Sequence, residues 1–424
     1  MATSKGITPE KRPPRRQNSP RRVIDQWAKT LLDRQLQGLT DGAITLREGF
    51  DNTSARHYGQ ASSTLPVSVS LDVLDPGFYS DTVFGGSVGA AEAYMAGYWT
   101  CSDLVGLVRI LVRNRAVLEG LDTGMSLITT PLRALLHLLN RNTRDGSRRN
   151  IAAHYDLGND FFKLFLDETL MYSCAVFSQP DMSLHQAQLS KLDLICRRLN
   201  LNPDDHLLEI GTGWGGFALH AASHYGCRVT TTTISEQQYQ LAAERIAAAG
   251  LSDRITLLKQ DYRDLKGCFD KLVSIEMIEA VGHQYYPTFF KTCGQLLKPD
   301  GLMLLQAITI NDRFYRRARD EVDFIKRHIF PGSCIPSIAA LVDASAQASD
   351  LQLTEVREIG PHYATTLRRW REAFMSQRDT VRAQGYPEEF IRLWEFYLAY
   401  CEGGYTERVL GDLHMVFSKP LFRD

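Results

Sequence analysis

The chain has 424 residues, with 48 basic and 49 acidic side chains and a formal net charge of -1. Such a balance argues against nonspecific electrostatic binding to nucleic acid, and no apolar run approaches the roughly 20 residues that a membrane span needs. The length exceeds the usual size of one compact domain, so we expect two domains or one enlarged domain. The eight cysteines include no C-x-x-C pair. This argues against a structural zinc site and a disulfide-stapled secreted scaffold, and predicts a cytoplasmic protein with reduced thiols.

The first 125 residues divide into a basic arm and a small domain. Basic residues lie among Pro, Ser and Gln in residues 1–23, a composition typical of a disordered arm. Residues 24–125 mix strand-like pieces, such as 65–74, with the helical pattern "GAAEAYMAGYWTCSDLVGLVRILVRN" at 89–114. The sequence therefore predicts a small N-terminal α+β domain.

Residues 126–150 have the pattern of a basic amphipathic linker helix. Leucines recur there at helical spacing beside Arg133, Arg141, Arg144, Arg148 and Arg149. Such a helix suits reversible contact with the inner face of a membrane. A core-facing helix followed by a solvated basic loop fits the same pattern equally well.

From residue 151 to 424 we expect one α/β domain. Strand patterns occur at 206–210, 227–234, 255–258, 271–276 and 302–308, and helical patterns lie between them. Ser183 with Gln186, and Ser235 with Gln238, have the spacing of helix-capping boxes. Alternating strands and helices predict a parallel sheet wound on both faces, that is, a Rossmann-like fold.

The stretch "LLEIGTGWGG" at 207–216 breaks a hydrophobic strand into glycines. Gly211, Gly213, Gly215 and Gly216 allow the backbone to approach a ligand closely, because a Cβ there would collide with the ligand or forbid the turn. The spacing lacks both the P-loop lysine and the complete G-x-G-x-x-G pattern. Glu209 precedes the bend and suits a ligand with positive charge. S-adenosylmethionine (SAM), which has a sulfonium and no phosphate, fits better than a dinucleotide.

Polar residues after the next two strands are further candidates for SAM contacts. Thr233, Ile234, Ser235 and Gln238 follow the second strand pattern, and their hydrogen-bonding groups either bind the ligand or only cap the following helix. Asp261 and Tyr262 follow the third strand. In class I methyltransferases an acid at this place commonly meets the adenine amino group, although a lone Asp is also a turn former.

Three longer stretches resemble the cyclopropane fatty acid synthase family, which includes the mycolic acid cyclopropane synthases. They are "HYDLGNDFFKLFLDETLMYSCAVF" (154–177), "SIEMIEAVGHQYYPTFF" (274–290) and "IGPHYATTLRRW" (359–370). The resemblance implies a class I methyltransferase fold with a seven-stranded doubly wound sheet. It also implies a lipid-binding helical insertion at about 312–350, and dimerisation through the N-terminal domain.

The resemblance implies transfer of the SAM methyl carbon to the cis double bond of an unsaturated phospholipid acyl chain. The carbocation would lose a proton to bound bicarbonate and close to a cyclopropane. Loss of a different proton, or reduction, would instead give a methylene- or methyl-branched chain. An inactive lipid- or cofactor-binding protein and a dinucleotide oxidoreductase are the alternatives from other classes.

Matching positions give the site residues that the resemblance implies. Tyr172 and Ser173 would contact SAM, and aromatic rings such as Phe161, Phe162 and Phe330 would stabilise the cation. The bicarbonate cage and its surroundings would comprise Cys174, Glu279, Gln306, Ile308, Tyr363 and Cys401. Many members have His where this chain has Gln306, whose amide also donates hydrogen bonds. Cys401 matches a position long assigned to the active site, although the bicarbonate mechanism gives its thiol no task.

Overall fold

The computed structural model describes residues 19–51, 54–123 and 157–423. Contacts divide the chain into two compact units. The first unit comprises Met1–Leu138, Glu321–Ile329 and Arg371–Val409, and the second comprises Leu139–Asp320, Phe330–Trp370 and Leu410–Asp424. The predicted basic helix at 126–150 and most of the arm at 1–23 lie outside the described residues.

The first unit contains a four-stranded sheet with the order β2-β1-β3-β4. Only the β1–β3 pair is parallel. The strands are β1 (Gly42–Glu48), β2 (Arg56–Gln60), β3 (Ser68–Val73) and β4 (Trp99–Cys101). The helices are Ser19–Leu36, Gly77–Met95, Leu104–Arg113, Arg115–Thr123, Phe324–His328, Arg378–Ala383 and Glu388–Thr406.

Three features of the first unit differ from the sequence-based expectations. The first helix begins at Ser19, inside the segment predicted to be a disordered arm. The helical pattern predicted over 89–114 is interrupted by β4, because Gly97, with φ +77°, ends the preceding helix. Residues 321–329 and 371–409, predicted to belong to the later domain, are part of this unit. Arg109 in the first half of the chain, for example, pairs with Glu407 at 2.7 Å.

The second unit contains the predicted seven-stranded sheet. Its order is β10-β11-β9-β8-β5-β6-β7, in which β9, β8, β5, β6 and β7 are parallel and β10 and β11 are antiparallel. The strands are β5 (His206–Ile210), β6 (Arg228–Thr233), β7 (Ile255–Lys259), β8 (Phe269–Ile275), β9 (Leu297–Ile310), β10 (Gln352–Glu358) and β11 (Leu410–Ser418). The five parallel strands lie where the sequence patterns predicted them.

Helices cover both faces of this sheet, as predicted for a doubly wound fold. They are Asn159–Phe162, Leu184–Arg198, Gly216–Tyr225, Glu236–Ala248, Tyr286–Leu296, Asp312–Asp320, Ile338–Ala348 and Gly360–Ser376. One buried cluster joins the sheet to helices Leu184–Arg198 and Gly216–Tyr225. The other joins it to helices Tyr286–Leu296 and Ile338–Ala348. Helix Ile338–Ala348 was expected in an insertion at 312–350, but its Leu341 and Ala344 are part of the sheet's core.

The helix-capping predictions are confirmed in different degrees. Ser183 and Gln186 form the full reciprocal box at the start of helix Leu184–Arg198. Ser235 accepts a hydrogen bond from the Gln238 backbone, but the Gln238 side chain bonds Thr233 instead of closing a box. Gly250, with φ +67°, follows the end of that helix in the left-handed conformation typical of a helix terminus.

Candidate active site

Most of the predicted site residues lie at the end of the seven-stranded sheet where its parallel strands have their carboxyl ends. The parallel neighbours β5 and β8 end at the glycine bend and at Glu276, respectively, and β9 continues through Gln306 beside them. In open α/β sheets, ligands bind outside the carboxyl ends of the parallel strands. The glycine bend and the acidic residues after β8 therefore share the edge at which a ligand is expected.

The glycine bend forms an open cradle. Gly213 adopts φ +54°, and a Cβ placed there would meet no atom within 4 Å. Gly216 begins the following helix so close to the chain at 169–171 that a Cβ would lie 2.6 Å from the Thr169 carbonyl oxygen. Glycine is needed at Gly213 because of the backbone angle, and at Gly216 because there is no space for a side chain. The space over Gly213 fits the predicted binding of SAM.

Glu209 is buried just before the bend. It is 2% exposed, and the Thr231 hydroxyl donates a hydrogen bond to its Oε2 at 2.6 Å. Burial raises the pKa of Glu209 to about 8. A bound cation would oppose this shift by favouring the ionised carboxylate, so the contact of Glu209 with a positively charged ligand stays a prediction.

The polar residues after β6 bond mainly to one another. The Thr233 hydroxyl donates to Gln238 Oε1 at 2.9 Å and accepts from the Ser235 backbone at 3.1 Å, and Ile234 lies half-buried between them. Helix capping, one of the two open interpretations, is therefore present. After β7, Asp261 is buried and paired with Arg263 at 2.6 Å, while Tyr262 packs on Phe289. Contacts of these residues with SAM remain predictions.

Aromatic rings surround Tyr172. The Tyr172 ring lies 5.4 Å from Phe162 and 5.3 Å from Trp370, and Trp370 lies 6.0 Å from Tyr363. Phe330 is 6.5 Å from Tyr172. Ring faces stabilise a nearby cation by about 2 kcal/mol when water is excluded.

Glu276, which the sequence analysis did not select, is the centre of a polar cluster. Its Oε1 accepts hydrogen bonds from the Cys174 backbone at 2.8 Å and from Gln306 Nε2 at 2.7 Å. Its Oε2 accepts one from the Tyr363 hydroxyl at 2.7 Å. Glu276 keeps part of its surface accessible, whereas Gln306 and Tyr363 are buried. It also has φ +47°, a left-handed conformation that favours glycine.

Asp412 on β11 is a second acid of the cluster that the sequence analysis missed. It is fully buried, and burial and the neighbouring Glu276 raise its pKa well above the ordinary value. Gln306 Nε2 donates to Asp412 Oδ2 at 2.9 Å, and Oδ1 has no hydrogen-bond partner among the described residues. This fits a protonated carboxyl group that shares its proton with an ionised Glu276.

His414, on the neighbouring strand β11, fixes the orientation of the Gln306 amide. His414 lies opposite Gln306 in the β9–β11 pairing, and its Nε2 is 3.2 Å from Gln306 Oε1. Because an amide oxygen only accepts, His414 donates from Nε2. Burial lowers the pKa of His414 to about 3, so the imidazole is neutral. The Gln306 amide nitrogen therefore faces Glu276 and Asp412.

Lys191 supplies positive charge to the cluster. This buried lysine donates to Ser173 Oγ at 2.7 Å, so the Ser173 hydroxyl predicted to contact SAM already has a protein partner. Burial lowers the pKa of Lys191 to about 8, and attraction to Glu276 is the main opposing effect. Lys191 thereby favours the ionised form of Glu276.

The predicted bicarbonate cage is only partly reproduced. The Ile308 backbone donates to Glu279 Oε1 at 2.5 Å, and burial raises the pKa of Glu279 to about 8. The donors expected to hold bicarbonate, at Cys174, Gln306 and Tyr363, bind Glu276 instead. The residues present therefore do not fit a free bicarbonate ion at this place, and this prediction is corrected.

Cys401 is not among the residues that the structure brings together here. It belongs to helix Glu388–Thr406 of the first unit, where burial raises the pKa of its thiol. The hydrogen bonds of the Glu276 cluster within the described residues do not include it. Cys174 contributes its backbone amide, and burial likewise raises the pKa of its thiol. Neither thiol has the features of an activated nucleophile.

Comparisons of the sequence with known proteins identify one family. The mycolic acid cyclopropane synthetase family model matches residues 142–415. Tuberculostearic acid methyltransferase of Mycobacterium tuberculosis is 39% identical over 332 residues, 77% of each chain. Cyclopropane-fatty-acyl-phospholipid synthase of Escherichia coli K12 is 35% identical over 352 residues, 82% of this chain and 87% of that protein.

Solved structures of cyclopropane synthases are also similar to this chain. Cyclopropane synthase MmaA2 from Mycobacterium tuberculosis has a TM-score of 0.60 and 32% identity, covering 64% of this chain and 98% of its own. The same values apply to mycolic acid cyclopropane synthase CmaA1 complexed with SAH and CTAB. These findings exclude the oxidoreductase alternative and establish a SAM-binding methyltransferase. The chain belongs to the cyclopropane synthase family of SAM-dependent methyltransferases.

Proposed function

We propose that this enzyme transfers the methyl carbon of SAM to the cis double bond of an unsaturated phospholipid acyl chain. The observation that carries the proposal is the Glu276 carboxylate, which three hydrogen-bond donors hold at the same sheet edge as the glycine cradle. When bound, SAM supplies an electrophilic methyl group on a sulfonium. Because the alkene provides the electrons, the protein needs no side-chain nucleophile. It needs a base that accepts the proton and aromatic rings that exclude water and stabilise the carbocation.

Two products are compatible with this site. Ring closure would give a cyclopropane, the product class in the name of the Escherichia coli relative. A methylene- or methyl-branched chain is favoured by the 39% identity to a protein named tuberculostearic acid methyltransferase. A 1,2-hydride shift in the cation before proton loss decides between the cyclopropane and a methylene branch, and a methyl branch requires a separate reductant as well.

Radiolabel transfer tests the proposal. Purified enzyme, methyl-labelled SAM and vesicles of a cis-monounsaturated phosphatidylglycerol are expected to give labelled lipid, whereas vesicles of the saturated lipid give none. Mass spectrometry and NMR of the product then separate the two outcomes: cyclopropane protons support ring closure, and vinylidene protons support a methylene branch. An inactive lipid-binding protein would bind vesicles or SAM without transferring label.

Reversible membrane association and homodimer formation complete the proposal. The acyl double bond lies inside the bilayer, and among the described residues no helix is long and apolar enough to cross it. The proposed docking surface for the cytoplasmic leaflet is the set of arginines at 141–149, because clustered basic side chains are attracted to anionic lipids. Dimerisation through the first unit rests on the family resemblance alone.

A further inference from the structure

We propose that the Glu276 carboxylate is the built-in base of this enzyme and takes the place that a bound bicarbonate ion was expected to fill. This inference deepens the proposed function and rests on it. It begins from the disagreement between the expected cage and the observed contacts.

The hydrogen-bond donors around Glu276 form an anion site that the protein fills with its own carboxylate. A backbone amide at Cys174, the Gln306 amide and the Tyr363 hydroxyl all donate to it at 2.7–2.8 Å. Three donors of different kinds, one on Oε2 and two on Oε1, hold both oxygens. A second small anion would find these donors occupied and would meet the negative charge of Glu276 at close range.

The backbone also indicates that the carboxylate has a task. Glu276 has φ +47°, in the left-handed region that a residue with a Cβ rarely adopts. Glycine adopts this conformation readily. Strain of this kind is kept where the surroundings determine the conformation, and it clusters at functional sites.

Among the acids of the cluster, Glu276 is the one suited to receive a proton from a substrate. Its carboxylate accepts three hydrogen bonds that favour the ionised form, whereas Asp412 accepts one from Gln306 and Glu279 one from the Ile308 backbone. Protonated Asp412 and Lys191 keep Glu276 ionised, while burial makes the carboxylate more basic than in water. Tyr363 and Gln306 hold it in one orientation.

Atoms and electrons balance in the proposed step. The π electrons of the alkene form the new carbon–carbon bond, and sulfur keeps the electron pair of the broken carbon–sulfur bond. The Glu276 carboxylate then removes one proton from the cationic lipid. In both outcomes the proton leaves the added carbon: with the cation on the neighbouring chain carbon, the C–H electron pair closes the cyclopropane. If a 1,2-hydride shift first moves the cation to the methyl-bearing carbon, the same pair becomes the double bond of a methylene branch. Glu276 becomes a neutral carboxylic acid and releases the proton to solvent after the lipid leaves.

The experiment compares three Glu276 variants in CO2-free buffer and in buffer with added bicarbonate. Wild type is expected to turn over equally in both. Glu276→Gln keeps the shape but removes the base, and is expected to lose about 10²–10⁴-fold in kcat, the range of general-base catalysis, with SAM affinity unchanged. Bicarbonate is not expected to restore Glu276→Gln, because the amide still fills the site.

Glu276→Gly and Glu276→Ala vacate the anion site, and glycine also relieves the backbone strain. Both are expected to be inactive without bicarbonate and to recover activity when bicarbonate or acetate is added. Line broadening of ¹³C-bicarbonate in NMR spectra provides a readout without turnover: it is expected with Glu276→Gly and not with wild type. Glu355→Gln, on exposed β10, is the matched control and is expected to behave as wild type.

Two results would overturn the inference: wild-type turnover that falls in CO2-free buffer and returns with bicarbonate, or Glu276→Gln with wild-type kcat. Failure of the proposed function looks different. In that case wild type binds SAM but labels no unsaturated lipid in either buffer, and the assignment of a base to lipid chemistry is overturned with it.

Discussion

The Tyr363 hydroxyl donates a hydrogen bond to Oε2 of Glu276 at 2.7 Å, from helix Gly360–Ser376 to the end of β8. This bond helps to stabilise the ionised form of Glu276, whose pKa burial raises. The tyrosine that the resemblance assigned to an external anion therefore acts on a carboxylate of the chain itself.

Replacing Tyr363 by Phe is expected to lower kcat by roughly 10–100-fold, because one charge-assisted hydrogen bond contributes about 1.5–3 kcal/mol. Losing the donor raises the pKa of Glu276 further, so the acidic limb of the pH–rate profile is expected to move to higher pH. Steady-state kinetics across pH measure both effects. Tyr225→Phe, which removes a hydroxyl bonded to Asp193, is the matched control. An unshifted pH profile in Tyr363→Phe would count against the contact's role.

The parallel core of the fold could be predicted from the sequence because its signals are local. Strand patterns alternated with capped helices, and the Ser183 box and the glycine bend both lie where predicted. Strands β10 and β11 were not located. They pair with each other and with β9 through contacts distant in sequence, which no local pattern reveals.

Several residues of the candidate site could be predicted from the sequence, but the hydrogen bonds between them could not. Gln306 and Tyr363 were selected, but the carboxylate they bind was not, although Glu276 stands three residues before the selected Glu279. A pair of acids directly after a buried strand was the signal available. No local sequence pattern pointed to Asp412, because only the pairing of β11 with β9 brings it to the cluster.

Gly213→Ala is expected to weaken SAM binding more than it weakens folding. The new methyl group would project into the open space over the bend, and the left-handed backbone would cost about 1 kcal/mol. Gly250→Ala is a close control, because Gly250 has φ +67° and a Cβ added there would also meet no atom within 4 Å. Gly250 follows the end of a helix, whereas Gly213 lies in the bend after β5. Calorimetry is expected to show a loss of SAM affinity only for Gly213→Ala. Equal affinity in both variants would place the cofactor elsewhere.

Reversal of the charges at Arg141, Arg144, Arg148 and Arg149 is expected to weaken binding to anionic vesicles. Each basic residue near such a surface contributes about 1 kcal/mol, and salt screens the attraction. Vesicle sedimentation at low and high salt measures the effect. The control variant reverses four exposed basic residues elsewhere: Arg228, Lys266, Lys291 and Arg423. If both variants bind alike, the docking surface does not include the arginines at 141–149.

Stability is expected to fall as the pH rises from about 5 to 8, in part because of Glu209. Its pKa is raised from 4.5 to about 8 by burial, so the folded chain binds a proton that the unfolded chain has released. The contribution is complete below pH 4.5 and is lost through pH 8, at no more than about 1.4 kcal/mol per pH unit.

Glu209→Gln keeps a neutral acceptor for the Thr231 hydroxyl and removes this titration. Urea unfolding at several pH values is therefore expected to give a flatter stability curve for the variant than for wild type. Glu279, with its pKa raised to about 8, leaves a remaining slope in both proteins. Glu244→Gln changes an exposed carboxylate and is expected to keep the wild-type slope. A Glu209→Gln curve parallel to wild type would mean that Glu209 is ionised in the folded protein even without a cationic ligand.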